Sequence, residues 1–248
     1  VTATGIAAAR NLQLPLTSGL SRATSTMDLS INLPATADVP STRSVYGAAN
    51  PYAFDRFDLN SFNQQAATTI YDVQGNALPA TIYFTRQTTP TVADPTSTWE
   101  ARLFVGDSEI SADGNPATIP PAPLTLTFDA NGNMTDPTAA IAYAEVQPAG
   151  AAAALALTID YGANTRQTAS PFTVKTFTQD GYAAGQLDNV TVDSEGLVTA
   201  TFSNGTSQAL GKVLLATFSN PEGLRQLGDA LWTATGESGD PVVGEPNS

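Results

Sequence analysis

Short runs of β-branched and aromatic residues, each halted by Gly, Pro, Asn or Asp, recur along nearly the whole chain, and long amphipathic helical periodicity is almost missing. This punctuation restricts the chain to an all-β architecture. With 248 residues, it exceeds the usual size of one domain, so two domains or one large β domain is expected.

The runs can be placed individually. Ala67 to Asp72 and Ala80 to Arg86 flank Val73-Gln74-Gly75-Asn76, where Gly75 and Asn76 tolerate the positive φ of a tight turn, and together they read as a hairpin. Trp99 to Val105 and Leu124 to Phe128 follow as strands, the second leading into a turn at Asp129-Ala130-Asn131-Gly132. Leu155 to Tyr161 alternates large apolar residues with Ala, Thr and Asp, the pattern of a half-buried strand. In the last third, Val190 to Val192, Leu197 to Phe202 and Gln208 to Phe218 are separated by turns at Asp193 to Gly196 and Ser203 to Thr206, which gives a β-meander. The successive apolar residues Val213 to Ala216 predict a strand covered on both faces. One short helix is expected near Asn220, with Asn220 as cap, Pro221 in the first turn and Leu224 and Leu227 on one face. Asp113 to Pro123 and Thr138 to Ala154 read as long loops. Ala149 to Ala154 could extend a helical turn, but Pro148 and Gly150 favour the loop. The tail from Thr235 to Ser248 reads as an exposed arm.

Composition then removes whole classes of chemistry. The chain has no Cys and no His, which excludes disulfides, thiolate metal sites and every triad built on a histidine base. Its 10 basic and 23 acidic residues give a net charge of −13, a surface that repels nucleic acid and anionic membranes. No apolar run is long enough to span a bilayer as a helix. The start at Val1 lacks both an initiator Met and a signal pattern, so the chain reads as an excised piece.

The remaining candidates for chemistry are weak against plain structural readings. Asp129 to Asp136 alternates oxygen ligands like a calcium loop, but Met134 stands where the turn needs Gly and Ala140 where a bidentate Glu would close the site. A hairpin turn accounts for the same residues. The pairs Asp55 with Asp58 and Asp193 with Glu195 could in principle flank a sugar, yet they sit in turn sequences. Phe54, Phe57 and Phe62 could form a sugar-stacking platform, with core packing as the favoured reading. Sequons occur at Asn133, Asn189 and Asn204. No catalytic, cofactor-binding or metal residue is assigned, and no subunit-interface residue can be named.

A series of motifs carries a resemblance. Gln179-Asp180-Gly181-Tyr182-Ala183-Ala184-Gly185-Gln186-Leu187, Asp193 to Gly196, Phe202-Ser203-Asn204-Gly205, Leu215 to Phe218, Asn220 to Leu224, Gly228 to Trp232 and Thr235 to Gly239 occur in that order. Thr69 to Asn76 and Met27 to Pro40 match upstream. The chain resembles the bacterial flagellar hook proteins, part of the rod and hook axial family, along both flanks and only loosely between Thr88 and Ser170. The resemblance implies two nested β domains. Residues 1–19 and 179–248 would form an intermediate domain, and 20–178 an outer barrel-like or sandwich-like domain inserted into it, with the terminal helical segments absent. It also implies an extracellular, secreted structural subunit that assembles with copies of itself into a curved, flexible tube, a universal joint carrying torque from motor and rod to filament. The partners implied are rod, hook-filament junction and hook cap proteins, with no cofactor, nucleic acid or membrane. The competing readings are a secreted β domain that binds carbohydrate or a host surface, and a glycosidase.

Overall fold

The computed structural model describes residues 12–16 and 21–244. The chain divides into two compact units: Ser21–Ala183 forms one without interruption, and the other joins Val1–Leu20 to Ala184–Ser248. The described residues are strand and loop, with helical structure confined to 3-10 turns.

The continuous unit contains eleven strands: β1 (Thr26–Pro34), β2 (Gln64–Tyr71), β3 (Ala77–Arg86), β4 (Ser97–Val105), β5 (Ser108–Ile110), β6 (Leu124–Phe128), β7 (Met134–Asp136), β8 (Ile141–Ala142), β9 (Thr158–Asp160), β10 (Arg166–Thr168) and β11 (Thr173–Gln179). One sheet runs β2-β3-β4-β6-β7, with β5 on the end of β4. The other is built round β1, which pairs antiparallel with β11 and parallel with both β9 and β10, while β8 extends it beyond β9. Alternate residues of the two sheets meet in one core. Leu29, Ile31, Leu33 and Ile159 pack with Ile82, Phe84, Trp99, Leu103, Leu126 and Phe128, all fully buried. Each large side chain so buried contributes about 1.5–3 kcal/mol.

The expected hairpin forms with Tyr71 opposite Ala77, and β4 and β6 coincide closely with the runs read from sequence. Leu155, Leu157, Ile159 and Tyr161 are buried as the alternation requires, although only Thr158–Asp160 hydrogen-bonds as a strand. Residues 149–154 form no helix.

The discontinuous unit holds the meander β12 (Leu187–Val192), β13 (Leu197–Phe202) and β14 (Ser207–Lys212), followed by β15 (Leu215–Thr217), β16 (Arg225–Gly228), β17 (Leu231–Thr233) and β18 (Val242–Gly244). Val198, Ala200 and Phe202 bury one face of β13. Leu187 donates its N–H to the carbonyl of Leu16, which ties the two chain segments of this unit together.

Three expectations are corrected here. The run Gln208 to Phe218 breaks after Lys212, and among the described residues β15 pairs only with β18, with Val213 and Leu215 exposed where two covered faces were expected. Apolar residues at successive positions cannot distinguish a buried strand from an uncovered one. The short helix is a single 3-10 turn, Pro221–Gly223, because Leu224 is already extended and Asn220 directs its side-chain amide to the carbonyl of Glu237 rather than to a helix end. The tail is not a free arm as far as Gly244. Ser238 is buried, Thr235 donates its hydroxyl to the carbonyl of Gly223, and Val242–Gly244 forms β18.

Candidate interaction surface

The motif Gln179 to Tyr182 forms a seam with the incoming segment Arg22 to Thr26. Arg22 and Tyr182 exchange both backbone hydrogen bonds at 2.9 Å. Asp180 accepts the N–H groups of Ser25 and Thr26 at 2.8 and 2.9 Å, the Ser25 hydroxyl at 2.8 Å and the Arg22 guanidinium at 2.6 Å. Burial alone would push this carboxyl up, but those donors hold it down at about 2. Gln179 accepts the Thr24 hydroxyl at 2.8 Å, and Gly181 lies so close to Thr24 that a Cβ there would stand 2.7 Å from its backbone nitrogen. The chain therefore enters and leaves the continuous unit side by side.

Three hairpin turns share one construction. Asp72, Asp129 and Asp193 each accept, through Oδ1, the N–H groups two and four residues ahead at 2.8 to 2.9 Å. A glycine in the left-handed region follows three residues after each: Gly75 at φ 83°, Gly132 at 75° and Gly196 at 77°. In the first two, the side-chain amides of Asn76 and Asn133 also donate to the second carboxylate oxygen. Asp72 receives the Ala152 N–H in addition, and that bond first, then those from Asn76 and Gln74, hold it at about 2 against its burial. The calcium-like pattern thus begins with a hairpin turn in which both Asp129 carboxylate oxygens already accept N–H groups from the chain itself.

The other candidates resolve in the same direction. Asp58 accepts the Tyr46 hydroxyl at 2.7 Å and the Asn60 N–H at 2.9 Å, and these bonds, the hydroxyl's first, lower its carboxyl. Asp55 accepts the N–H of Phe57 within its own loop. Asn133 uses its amide nitrogen on Asp129, Asn204 accepts the Thr206 N–H and hydroxyl, and Asn189 is exposed with its carbonyl on the Val190 N–H. The three phenylalanines separate. Phe54 and Phe62 pack with Tyr83 and Phe104 on the outer face of the β2-β3-β4 sheet, with ring centroids 5.0 to 6.5 Å apart. Phe57 stays outside, 80% exposed, beside Leu59 at 78%.

Sequence reading missed a hollow at the end of this unit. Arg86, Val92, Pro95, Ala130, Gln167 and Ala169 are among the residues bordering a cavity of about 630 Å³. The Arg86 side chain donates to the carbonyls of Thr88, Ala35 and Ala37 and to the Ser97 hydroxyl, and among the described residues it makes no ion pair. Burial lowers this guanidinium from arginine's ordinary value, and Asp129 borders the same hollow. No local signal could have revealed the hollow, because its walls come from four separate stretches of chain.

The chain is an all-β protein in which one compact unit interrupts the sequence of the other, and the first and last strands of the continuous unit pair with each other. A family model described as the flagellar basal body protein FlaE D2 domain matches residues 32–182, most of the inserted unit. The chain belongs to this flagellar hook protein family. It is 30% identical over 234 residues to the flagellar hook protein FlgE of Escherichia coli K12, covering 94% of this chain and 52% of that protein. It is also 30% identical over 238 residues to FlgE of Salmonella typhimurium LT2, covering 96% and 53%. The solved structure of Helicobacter pylori flagellar hook protein FlgE2 aligns with 73% of this chain and 39% of that one, at 23% identity and a TM-score of 0.36. The chain spans about half the length of the curated relatives it matches.

Proposed function

We propose that this chain is the middle of a flagellar hook subunit, a structural rather than catalytic protein located in the extracellular hook. The observation that carries the reading is the family match over the inserted unit, joined to relatives named flagellar hook proteins along almost the entire chain. In this reading the discontinuous unit is the intermediate domain and Ser21–Ala183 the outer one. Copies stack helically into a curved tube that transmits torque while bending, in contact with rod, junction and cap proteins. The function calls for no cofactor. Carboxylates that could have served chemistry are instead bound within turns and the seam, which supports a scaffold.

The test is complementation. The full-length parent protein, expressed in a strain lacking its own hook protein, should restore hooks visible by electron microscopy, and a hookless strain would overturn the reading. A glycan array probed with this chain should stay blank.

A further inference from the structure

We propose that residues 215–244 form a β-ribbon that is completed by the stretch of the parent protein preceding Val1, which pairs with it as a further strand. The inference deepens the reading above and rests on it, since it takes this chain as the middle of a longer subunit. Strands β15 to β18 make one long hairpin. β15 pairs with β18, the Asn220 N–H bonds the Ser238 carbonyl, the Thr235 hydroxyl bonds the Gly223 carbonyl, and β16 pairs with β17 as far as the turn at Asp229 and Ala230. Among the described residues no third strand joins it. Yet Leu215, Leu227, Leu231, Trp232 and Val242 stand 52% to 66% exposed along its length. A two-stranded ribbon is marginal in water, and apolar side chains left outside it favour cover. The tip adds strain. Asp229 and Ala230 lie in the left-handed region at φ 48° and 60°, a backbone that persists only where its surroundings hold it.

The form of the exposed surface selects the kind of occupant. Leu231 and Trp232 are adjacent on β17 and so face opposite sides of the ribbon. A helix laid on one side would leave the other uncovered, whereas an added strand pairs along an edge and alternates its own side chains to both sides. The path of the chain selects the segment. Leu187, whose N–H bonds the Leu16 carbonyl, stands opposite Phe202 at the end of β13. Gly211, where a Cβ would lie 3.3 Å from the Leu12 side chain, stands opposite Val198 near the start of β13. Residues 12–16 therefore run from one end of the meander to the other, and the chain enters at the end from which β14 leads on to Leu215. What precedes arrives beside the base of the ribbon. Gly244, by contrast, already pairs with Leu215 at that base, so the chain that follows has left the ribbon behind. About half the length of the hook protein relatives lies outside this chain, which is ample for one more strand.

Photocrosslinking in the full-length parent protein, kept monomeric, tests the occupant. Trp232→p-benzoylphenylalanine places the probe at an exposed position, and mapping of the crosslinked peptides should find the stretch before Val1. Hydrogen exchange tests the pairing. The amides of residues 225–233 should exchange at least about tenfold more slowly in the full-length monomer than in this chain, because a paired strand protects backbone groups that a covering helix would not. Capture of residues within this chain, of the stretch after Ser248 or of a second copy would overturn the inference, and so would equal exchange in the two proteins. These readouts need no tubes, so each of those failures leaves the assembly reading standing. That reading falls instead to a hookless strain on complementation.

Discussion

At Asp180 four donors converge on one carboxylate, and at Asp72 four more do so, which explains why both stay ionised well below the ordinary aspartate value of 3.8. A group depressed on folding stabilises the fold fully above its ordinary value and loses that contribution as the pH falls through its folded one. Chemical denaturation should therefore show stability falling between about pH 4 and pH 2, and D72N should flatten that acid limb without changing the plateau's dependence on pH. At neutral pH, D180N should cost about 1–2 kcal/mol, since the charge-assisted bonds to Arg22 and the two N–H groups become neutral ones. The buried tyrosines make a different point. Tyr143 and Tyr161 share one hydroxyl–hydroxyl bond of 2.6 Å, and burial pushes both beyond the usual tyrosine range, so both stay neutral. Removing one partner leaves the other unsatisfied. Y161F should lower stability by about 1–3 kcal/mol, whereas the double phenylalanine variant should recover most of the loss.

Elements differ sharply in how well they are covered. β3 and β4 bury their inner faces completely, while among the described residues β16 and β17 form a two-stranded pair on which Leu227, Leu231 and Trp232 are all more than half exposed. Two strands without a third are only marginally stable in water. Hydrogen exchange should find the amides of Gln226 and Trp232 exchanging orders of magnitude faster than those of Ile82 and Leu103, and equal protection would show that something covers the pair. This contrast marks the limit of legibility. Hairpins closed by Asp-x-x-Gly were readable, because turn chemistry and strand alternation lie within a few adjacent residues. The buried alternation of Leu155 to Tyr161 was readable for the same reason. Parallel pairing of β1 with β9 and β10 was not, since nothing near Met27 specifies a partner so distant in the chain. The Val213 to Ala216 run misled because hydrophobicity reports a preference for cover and not its presence. Asp180 was visible as part of a motif, but its role required the strand it faces.

For the whole molecule, insertion through one seam means that the unit Ser21–Ala183 can be removed with the cut ends already side by side at the Arg22 and Tyr182 bridge. Excising it from the full-length protein should leave tube assembly intact and change curvature, as read by electron microscopy. The reason is radial: in the proposed tube the outer units lie farthest from the axis, where bending alters spacing most. The isolated chain should sediment as a monomer at moderate salt, because its net charge of −13 opposes association. The seam also sets an order in time. Thr24 and Gln179 are 155 residues apart, and β1, the centre of its sheet, waits for β9, β10 and β11 while the β2-β3-β4 hairpins close locally. Closing so long a loop carries a large entropic cost before any contact rewards it. Folding of this unit is thus expected in two stages, a fast sheet and a late clasp, and a nascent or translocating chain remains unfinished until the residues around Gln179 emerge.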